Sequence, residues 1–209
     1  MKISKTINKN IMKDLNIPLR DIARELARRY STMTHEELDV LESIIVPLKF
    51  NKSETIISEG DVCENIYYIH QGLVRQYYYK NKKQVTESLR VDGKIFMCIE
   101  SLFQEVPTTL ICEALEPTYV YALPKKRLEE VALHNQNIQI LYRKILEESL
   151  IESQVHADML RFESAQDRYR RICRLEPKLV LRAPLVYIAS YLQMTPETLS
   201  RVRSSTLID

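Results

Sequence analysis

The sequence predicts an α+β protein: N-terminal helices, an antiparallel β-roll of the jelly-roll kind, a long helix suited to dimerisation, and a compact C-terminal helical unit. Three observations carry this prediction. Helical periodicity near the N-terminus gives way between Phe50 and Pro124 to short β-rich runs, then returns from Lys125 to Phe162 with no proline or glycine. All three glycines, Gly60, Gly72 and Gly93, fall inside the β-rich stretch, at turns. Beyond Phe162, Pro184 and Pro196 each stand where a helix would begin and the missing N–H costs nothing. The organisation expected is a helical extension (1–32), the roll (33–130), a connecting helix (131–162) and a terminal helical unit (163–209).

In the extension, IPLRDIARELARRY places Leu19, Ile22, Ala23, Leu26 and Ala27 on one face and Arg24 and Arg28 opposite, an amphipathic helix. Thr34 is a fitting N-cap for HEELDVLESIIV, a helix expected to end near Pro47. The strands expected next are ETIIS, NIYYIH, LVRQYYY, QVTESLRV, TTLICEAL and TYVYAL. Turn signals at Glu59-Gly60-Asp61, Gln71-Gly72, Asn81-Lys82-Lys83 and Asp92-Gly93 separate them.

The helix after Lys125 is apolar on more than one face. Ile138, Leu141 and Ile145 follow 3/4 spacing, Glu148 and Glu152 interrupt the seam, and Val155, Met159 and Phe162 resume it. A second seam runs through Leu146, Leu150, Ser153, Ala157 and Leu160. Such a helix needs a partner on each side: its own roll can be one and a second copy of the chain the other, the alternative being a long helix packed only within one subunit. Ile138, Leu141, Ile145, Val155 and Met159 are the residues assigned to the homodimer contact.

In the last unit, PLVYIASYLQ is followed by a short break and by TPETLSRVRSS, with Thr195 as N-cap. Glu197 and Arg201, four apart, share a face with Ser200 beside Arg201, while Leu199 and Val202 face inward. In a helix-turn-helix the second helix sets such side chains against base edges, an Arg suiting guanine and a Glu suiting cytosine. The same spacing also describes a solvated ion pair, and spacing alone does not choose between the two. Thr195, Thr198 and Arg203 are candidates for the DNA backbone, and Arg168, Arg170, Arg171 and Arg174 form a basic cluster with the same potential.

Charge distribution permits a polyanion at either end. Residues 1–32 carry +5, residues 33–162 carry −6 and residues 163–209 carry +3. No run of 18 apolar residues is present and MKISKTINKN lacks a signal-peptide core, so a cytoplasmic protein without membrane contact is expected. Cys63, Cys98, Cys112 and Cys173 are far apart, which favours free thiols over disulfides or a metal site. GxGxxG, P-loop and HExxH patterns are absent, and His35, His70, His134 and His156 have no ligand spacing, so neither an enzyme nor a bound metal is expected.

From about residue 35 to 204 the chain resembles the Crp/Fnr transcription regulators. The resemblance rests on a helix, a roll with EGD and QG turns, a long helix and the tract SAQDRYRRICRLEP…RAPLVYIASYLQMTPETLSRVR, which is especially similar to short Bacteroidetes-type members. It implies a homodimer that reads palindromic double-stranded DNA with TTGA-like half-sites. Arg201 would then contact guanine and Glu197 the opposing cytosine, with Ser200 beside them, and RNA polymerase would be a further partner. The alternative is a roll-and-helix module that binds protein and not DNA.

Two departures from the family stand out. Gln193 occupies the turn where glycine is usual, and must take a positive φ or bend the turn differently. The sequence also leaves little after the last helix for a wing, which would weaken the selection of sites. The resemblance further implies a phosphate cassette in KIFMCIESLFQEVPTTLICEA, a degenerate one. Met97-Cys98 stand where Gly-Glu would be, and Pro107-Thr108-Thr109 where Arg-Ser/Thr-Ala would be. With no cation for a cyclic phosphate, no cofactor is expected and cyclic AMP least of all. Met97, Cys98, Thr108 and Thr109 are the candidate pocket residues for some other effector. An iron–sulfur cluster would need N-terminal cysteines and haem an axial His, of which His70 and His134 are the only suggestions; buried, inert thiols are expected at Cys98 and Cys112. Arg75 can pair with an acid across the roll or with an anionic effector, and the sequence leaves both open.

Overall fold

The computed structural model describes residues 18–206; residues 1–17 of the expected extension, and residues 207–209 at the other end, lie outside it. Helix α1 (Leu19–Tyr30) carries Asp21 in its first turn and Arg28 and Arg29 in its last, each sign matched to the helix dipole. Its Ile22, Ala23, Leu26 and Ala27 are buried. Full burial of Ile22 and Leu26 contributes about 2 kcal/mol each, enough to hold a short helix onto the body. Helix α2 (His35–Ile44) begins with a complete capping box: Glu37 N–H donates to Thr34 Oγ1 at 3.3 Å and Thr34 N–H to Glu37 Oε2 at 2.8 Å.

Helix α2 ends earlier than Pro47. Residues Val46–Phe50 are strand β1, which pairs antiparallel with β8 (Thr118–Pro124), Pro47 standing opposite Tyr121. The proline is tolerated because β1 is an edge strand and owes no second ladder a hydrogen bond. The roll is two antiparallel sheets of four strands, with orders β1-β8-β3-β6 and β2-β7-β4-β5. Its other strands are β2 (Thr55–Ile57), β3 (Asn65–Gln71), β4 (Leu73–Lys80), β5 (Lys83–Val91), β6 (Ile95–Phe96) and β7 (Ile111–Ala114). A short helix, α3 (Ile99–Gln104), lies within the stretch left unassigned by periodicity.

Two turns show why their residues are there. Asn81 and Lys82 both have positive φ (51° and 62°), as a two-residue hairpin turn between β4 and β5 requires. Gly72 has φ 132° and its backbone runs so close to Thr118 that a Cβ would meet Thr118 Cα at 2.7 Å. Only glycine fits both constraints.

Helix α4 (Lys125–Ala132) precedes the long helix α5 (Gln136–Phe162). Ile138, Leu141 and Ile145 are buried in one cluster with α1, α2, α4 and the roll, and Met159 is buried in a second cluster with the C-terminal unit. This corrects the assignment of these four to a partner copy: the chain's own elements already cover them. Of the five, only Val155 is exposed, beside Leu150 (70% exposed), Ile151 and Phe162 (80% exposed), and that stripe is the apolar face α5 leaves open. The acids that break the seam have distant partners. Glu148 is paired with Arg29 and accepts from the Tyr30 hydroxyl at 2.5 Å, while Glu152 holds Arg90 at 2.5 Å and Lys94 at 3.0 Å.

The C-terminal unit, or head, comprises α6 (Ala165–Leu175), α7 (Pro177–Arg182), α8 (Leu185–Tyr191) and α9 (Pro196–Thr206). The segment expected as a link, KLVLRA, is mostly α7, opened by Pro177 in its first turn. The unit's core is Tyr169, Ile172, Leu179, Ile188, Ala189, Leu192 and Leu199, and it is continuous with Leu73, Leu89 and Val91 of the roll.

Candidate nucleic-acid interface and roll cleft

Helices α8 and α9 form the expected helix-turn-helix, and Gln193 adopts the left-handed conformation itself, at φ 51°. The turn is a complete Schellman motif: Met194 N–H donates to Ala189 O at 2.9 Å and Gln193 N–H to Ser190 O at 3.0 Å. Met194 packs against the head's apolar core. The hydrogen bonds and that packing hold a residue that, lacking glycine's freedom, is strained by about 1 kcal/mol.

Helix α9 is then launched by Thr195, whose Oγ1 accepts from Thr198 N–H at 3.2 Å, with Pro196 in the first position. Leu199 is buried and Val202 half-buried, so they anchor the helix as expected. Glu197, Ser200 and Arg201 are all exposed on the opposite face. The Thr195 hydroxyl and the helix-start amide hold the Glu197 carboxyl below the ordinary range, so it is an ionised acceptor. Arg201 reaches only as far as Thr198 Oγ1, at 3.5 Å, and among the described residues no ion pair occupies it.

The three residues assigned to the DNA backbone are already placed within the head. Thr195 Oγ1 is taken up in the cap, Thr198 Oγ1 lies 3.2 Å from it, and Arg203 is half-buried beside Tyr169 of α6. Arg203 is thereby turned from the exposed face of Glu197 and Arg201 toward the core. In the basic cluster of α6, Arg171 is paired with Glu163, while Arg170 and Arg174 flank a shallow groove with Phe162.

The head is docked on the outer face of the β4–β5 hairpin. Arg182 of α7 donates to Asp92 at 2.7 and 3.0 Å and is also paired with Glu116. Despite burial, which works the other way, Arg182 keeps the Asp92 carboxyl below its usual range. Ser190 Oγ of α8 accepts from Thr86 N–H at 2.8 Å. Arg75 pairs neither with an acid nor with an open effector site: its guanidinium lies between the rings of Tyr77 (4.2 Å) and Tyr187 of α8 (3.7 Å).

A cleft of about 590 Å³ opens where the roll, α5 and the head meet. The roll contributes Ser88, Arg90, Lys94 and Met97, α5 contributes Glu152 and His156, and the head contributes Arg171 and Tyr191. Arg90 is paired with Glu152, Lys94 with both Glu152 and Glu176, and Arg171 with Glu163. His156 stacks on Tyr191 with ring centroids 4.4 Å apart, and burial, assisted by Arg90, pushes its pKa down to about 4.

Of the four expected pocket residues only Met97 lines this cleft. Thr108 is spent on the loop: its backbone exchanges hydrogen bonds with Gly60 and Asp61, and its Oγ1 accepts from Leu110 N–H. Thr109 is exposed. Cys98 is buried in the roll with its Sγ 3.7 Å from that of Cys112, and Gln76 donates to the Cys112 sulfur. The neighbouring Cys112 thiol and burial push the Cys98 thiol up to about 12, outside the range of a ready nucleophile. Among the described residues no three His, Cys, Asp or Glu side chains are placed to hold a metal ion, and no helix is long and apolar enough to cross a membrane.

Residues 47–135 match the family described as cyclic nucleotide-binding domain. No curated protein matches the chain. Among solved structures it is similar to FixK2 of Bradyrhizobium japonicum, at 22% identity over 78% of this chain and 84% of that one, with a TM-score of 0.62. The catabolite activator protein of Thermus thermophilus aligns at 22% identity over 87% and 85% of the two chains, with a TM-score of 0.53. The c-di-GMP-responsive global regulator CLP of Xanthomonas campestris aligns at 15% identity over 84% and 93%, with a TM-score of 0.61. The roll, long helix and head of this chain therefore have the fold of the Crp/Fnr-type regulators, as the sequence implied.

Proposed function

We propose that the protein is a sequence-specific DNA-binding transcription regulator, a homodimer that reads a palindromic site with TTGA-like half-sites through α9. The observation that carries this reading is the face of α9: Glu197, Ser200 and Arg201 are exposed together, on a helix whose start and inner side are fixed by Thr195 and Leu199. Arg201, held only by a long 3.5 Å contact to Thr198 Oγ1, turns its donors to guanine O6 and N7, and ionised Glu197 accepts from a cytosine amino group. Two such heads are brought together along the open apolar stripe Leu150, Ile151, Val155 and Phe162 of α5.

Any effector of the cleft is not a cyclic nucleotide. A cyclic phosphate needs an uncommitted cation, and Arg90, Lys94 and Arg171 are engaged by Glu152, Glu176 and Glu163. Where the family motif has an arginine this chain has Pro107, and the neighbouring Thr108 is tied into its own loop.

Selection from a pool of random duplexes by the purified protein tests the reading. It should yield an inverted repeat, bound with an affinity that falls steeply as salt rises. Recovery of no sequence preference, with binding indifferent to salt, would overturn it. A titration with cyclic AMP followed by calorimetry should show no heat of binding at micromolar concentrations.

A further inference from the structure

Arg75 is 1% exposed, and among the described residues no carboxylate is ion-paired with it. Glu113 stands opposite it in register on β7 and acts on it only through space. Burying a lone cation is costly unless its faces and donors are satisfied. Here Nε donates to Thr86 Oγ1 at 3.0 Å, Nη1 donates to Gln84 Oε1 at 2.8 Å, and the two flat faces meet Tyr77 and Tyr187. Three of these partners belong to the roll's own hairpin. The fourth, Tyr187, comes from the head and lies closer than Tyr77.

The adjacent contact is of the same kind. Strand β5 is the edge of its sheet, so the outward N–H of Thr86 has no strand to bond, and Ser190 of α8 accepts from it instead. At the other end of the hairpin Arg182 grips Asp92 and Glu116. The two adjacent contacts at one end, Arg182 at the other, and the apolar cluster that Leu73, Leu89 and Val91 share with the head leave a rigid head no free rotation. None of them uses Glu197, Ser200 or Arg201, which stay exposed in the docked arrangement.

We propose that Arg75, held between Tyr77 and Tyr187, is a positioning residue that sets the half-site spacing the dimer accepts. The inference rests on the DNA-reading function proposed above. A head locked to its roll, in a dimer joined along α5, presents its reading helix at one separation and one angle from the other. One added base pair moves the second half-site by about 3.4 Å and about a tenth of a turn, which a locked pair of heads cannot follow. When the clamp is opened, each head still reads its half-site, but the pair tolerates several spacings.

The test compares the selected operator, versions with one base pair added to or removed from the spacer, and an isolated half-site. The full-length wild type should bind the selected spacer at least about tenfold more tightly than either altered one. Arg75→Ala and Tyr187→Ala should bring the three spacers within about threefold and leave half-site affinity unchanged, whereas Tyr187→Phe, which keeps the ring, should behave as wild type. Hydrogen exchange at the Thr86 amide, slow in wild type and at least about tenfold faster in Tyr187→Ala, reports undocking without DNA. A wild-type spacer preference retained in both alanine variants, or a matching loss at the half-site, overturns the proposal. If the wild type itself binds no half-site sequence, the DNA-reading function fails instead; an unchanged Thr86 amide in Tyr187→Ala then removes the clamp on its own account.

Discussion

Two charged surfaces of this molecule are built on opposite plans. On the exposed face of α9, Arg201 touches only the Thr198 hydroxyl and no ion pair holds it among the described residues, and Glu197 is kept ionised by a neighbouring hydroxyl and the helix start. In the cleft between roll, α5 and head, the cations Arg90, Lys94 and Arg171 are each already matched by a carboxylate. The first surface has its bonding capacity turned outward, and the second has it consumed by the fold. Residue type does not separate them, since both contain arginine and glutamate. The difference lies in what the chain places within about 4 Å of each guanidinium, and this decides whether a charge recognises something else or holds the protein together.

The largest effect that tests the contrast is expected on α9. Glu197→Ala or Arg201→Ala should each weaken binding to the selected operator by about 1–3 kcal/mol, roughly fivefold to 150-fold, with little change in binding to unrelated duplex or in unfolding. Titration of labelled duplexes at fixed salt measures this. Equal binding of both variants to the operator would abolish the distinction between the two surfaces. The cleft responds the other way. Glu152→Gln removes the carboxylate shared by Arg90 and Lys94 and should cost about 2 kcal/mol in a denaturant titration, since partly buried Arg90 loses its match and Lys94 keeps only Glu176. The same variant should create an uncommitted cation site, seen as a rise in Tm with added inorganic phosphate that the wild type lacks.

How much of this was legible in sequence differs between the same two places. The exposed face of α9 was, as a helix face, because its pattern is local: Thr195-Pro196, then Glu197, Ser200 and Arg201 at helical spacing. The roll was legible for a similar reason, its alternation and glycine turns being short-range signals, although Pro47 hid β1 by looking like a helix stop. The cleft was not legible. Glu148 and Glu152 read only as interruptions of an apolar seam, because Arg29 and Tyr30 of α1, Arg90 of β5 and Lys94 in the turn after it lie 58 to 119 residues away. The open apolar face of α5 was misplaced for the same cause. Periodicity shows that Ile138, Leu141 and Ile145 must be covered, and cannot show that the chain's own elements, α1, α2, α4 and the roll, are what cover them. Arg75 likewise waited on Tyr187, a ring supplied from the far end of the chain.

A smaller effect separates His156 and Glu152 of the cleft by pH. His156 is held neutral down to about 4, whereas an unfolded chain takes up the proton near pH 6.5. The stability this protects is therefore complete above about pH 6.5 and is lost as pH falls toward 4. Glu152 is shifted below its ordinary value, so its contribution persists above the ordinary carboxylate range and disappears only at lower pH. Between pH 7 and pH 5 only the histidine should act. Wild type should lose about 1 kcal/mol more than His156→Phe over that interval, the figure being reduced for the solvent that reaches the ring. Identical losses in the two proteins would remove His156 from the account.

The smallest effect concerns how the outward-facing surface is presented at all. Gln193 sits at φ 51° in the turn that aims α9, where the two Schellman hydrogen bonds and the packing of Met194 compensate its strain. Gln193→Gly removes a strain of about 1 kcal/mol and gives back part of it, because glycine makes the unfolded chain more disordered by roughly 0.4–1 kcal/mol. The net gain in a denaturant titration should be positive and below about 1 kcal/mol. Operator affinity and spacer preference should not move, because Thr195 and Leu199, and not the turn residue, fix the azimuth of Glu197 and Arg201. If Gln193→Gly instead loosened operator binding while raising stability, the strained turn would belong to the reading surface, as a stiff joint that glycine makes slack.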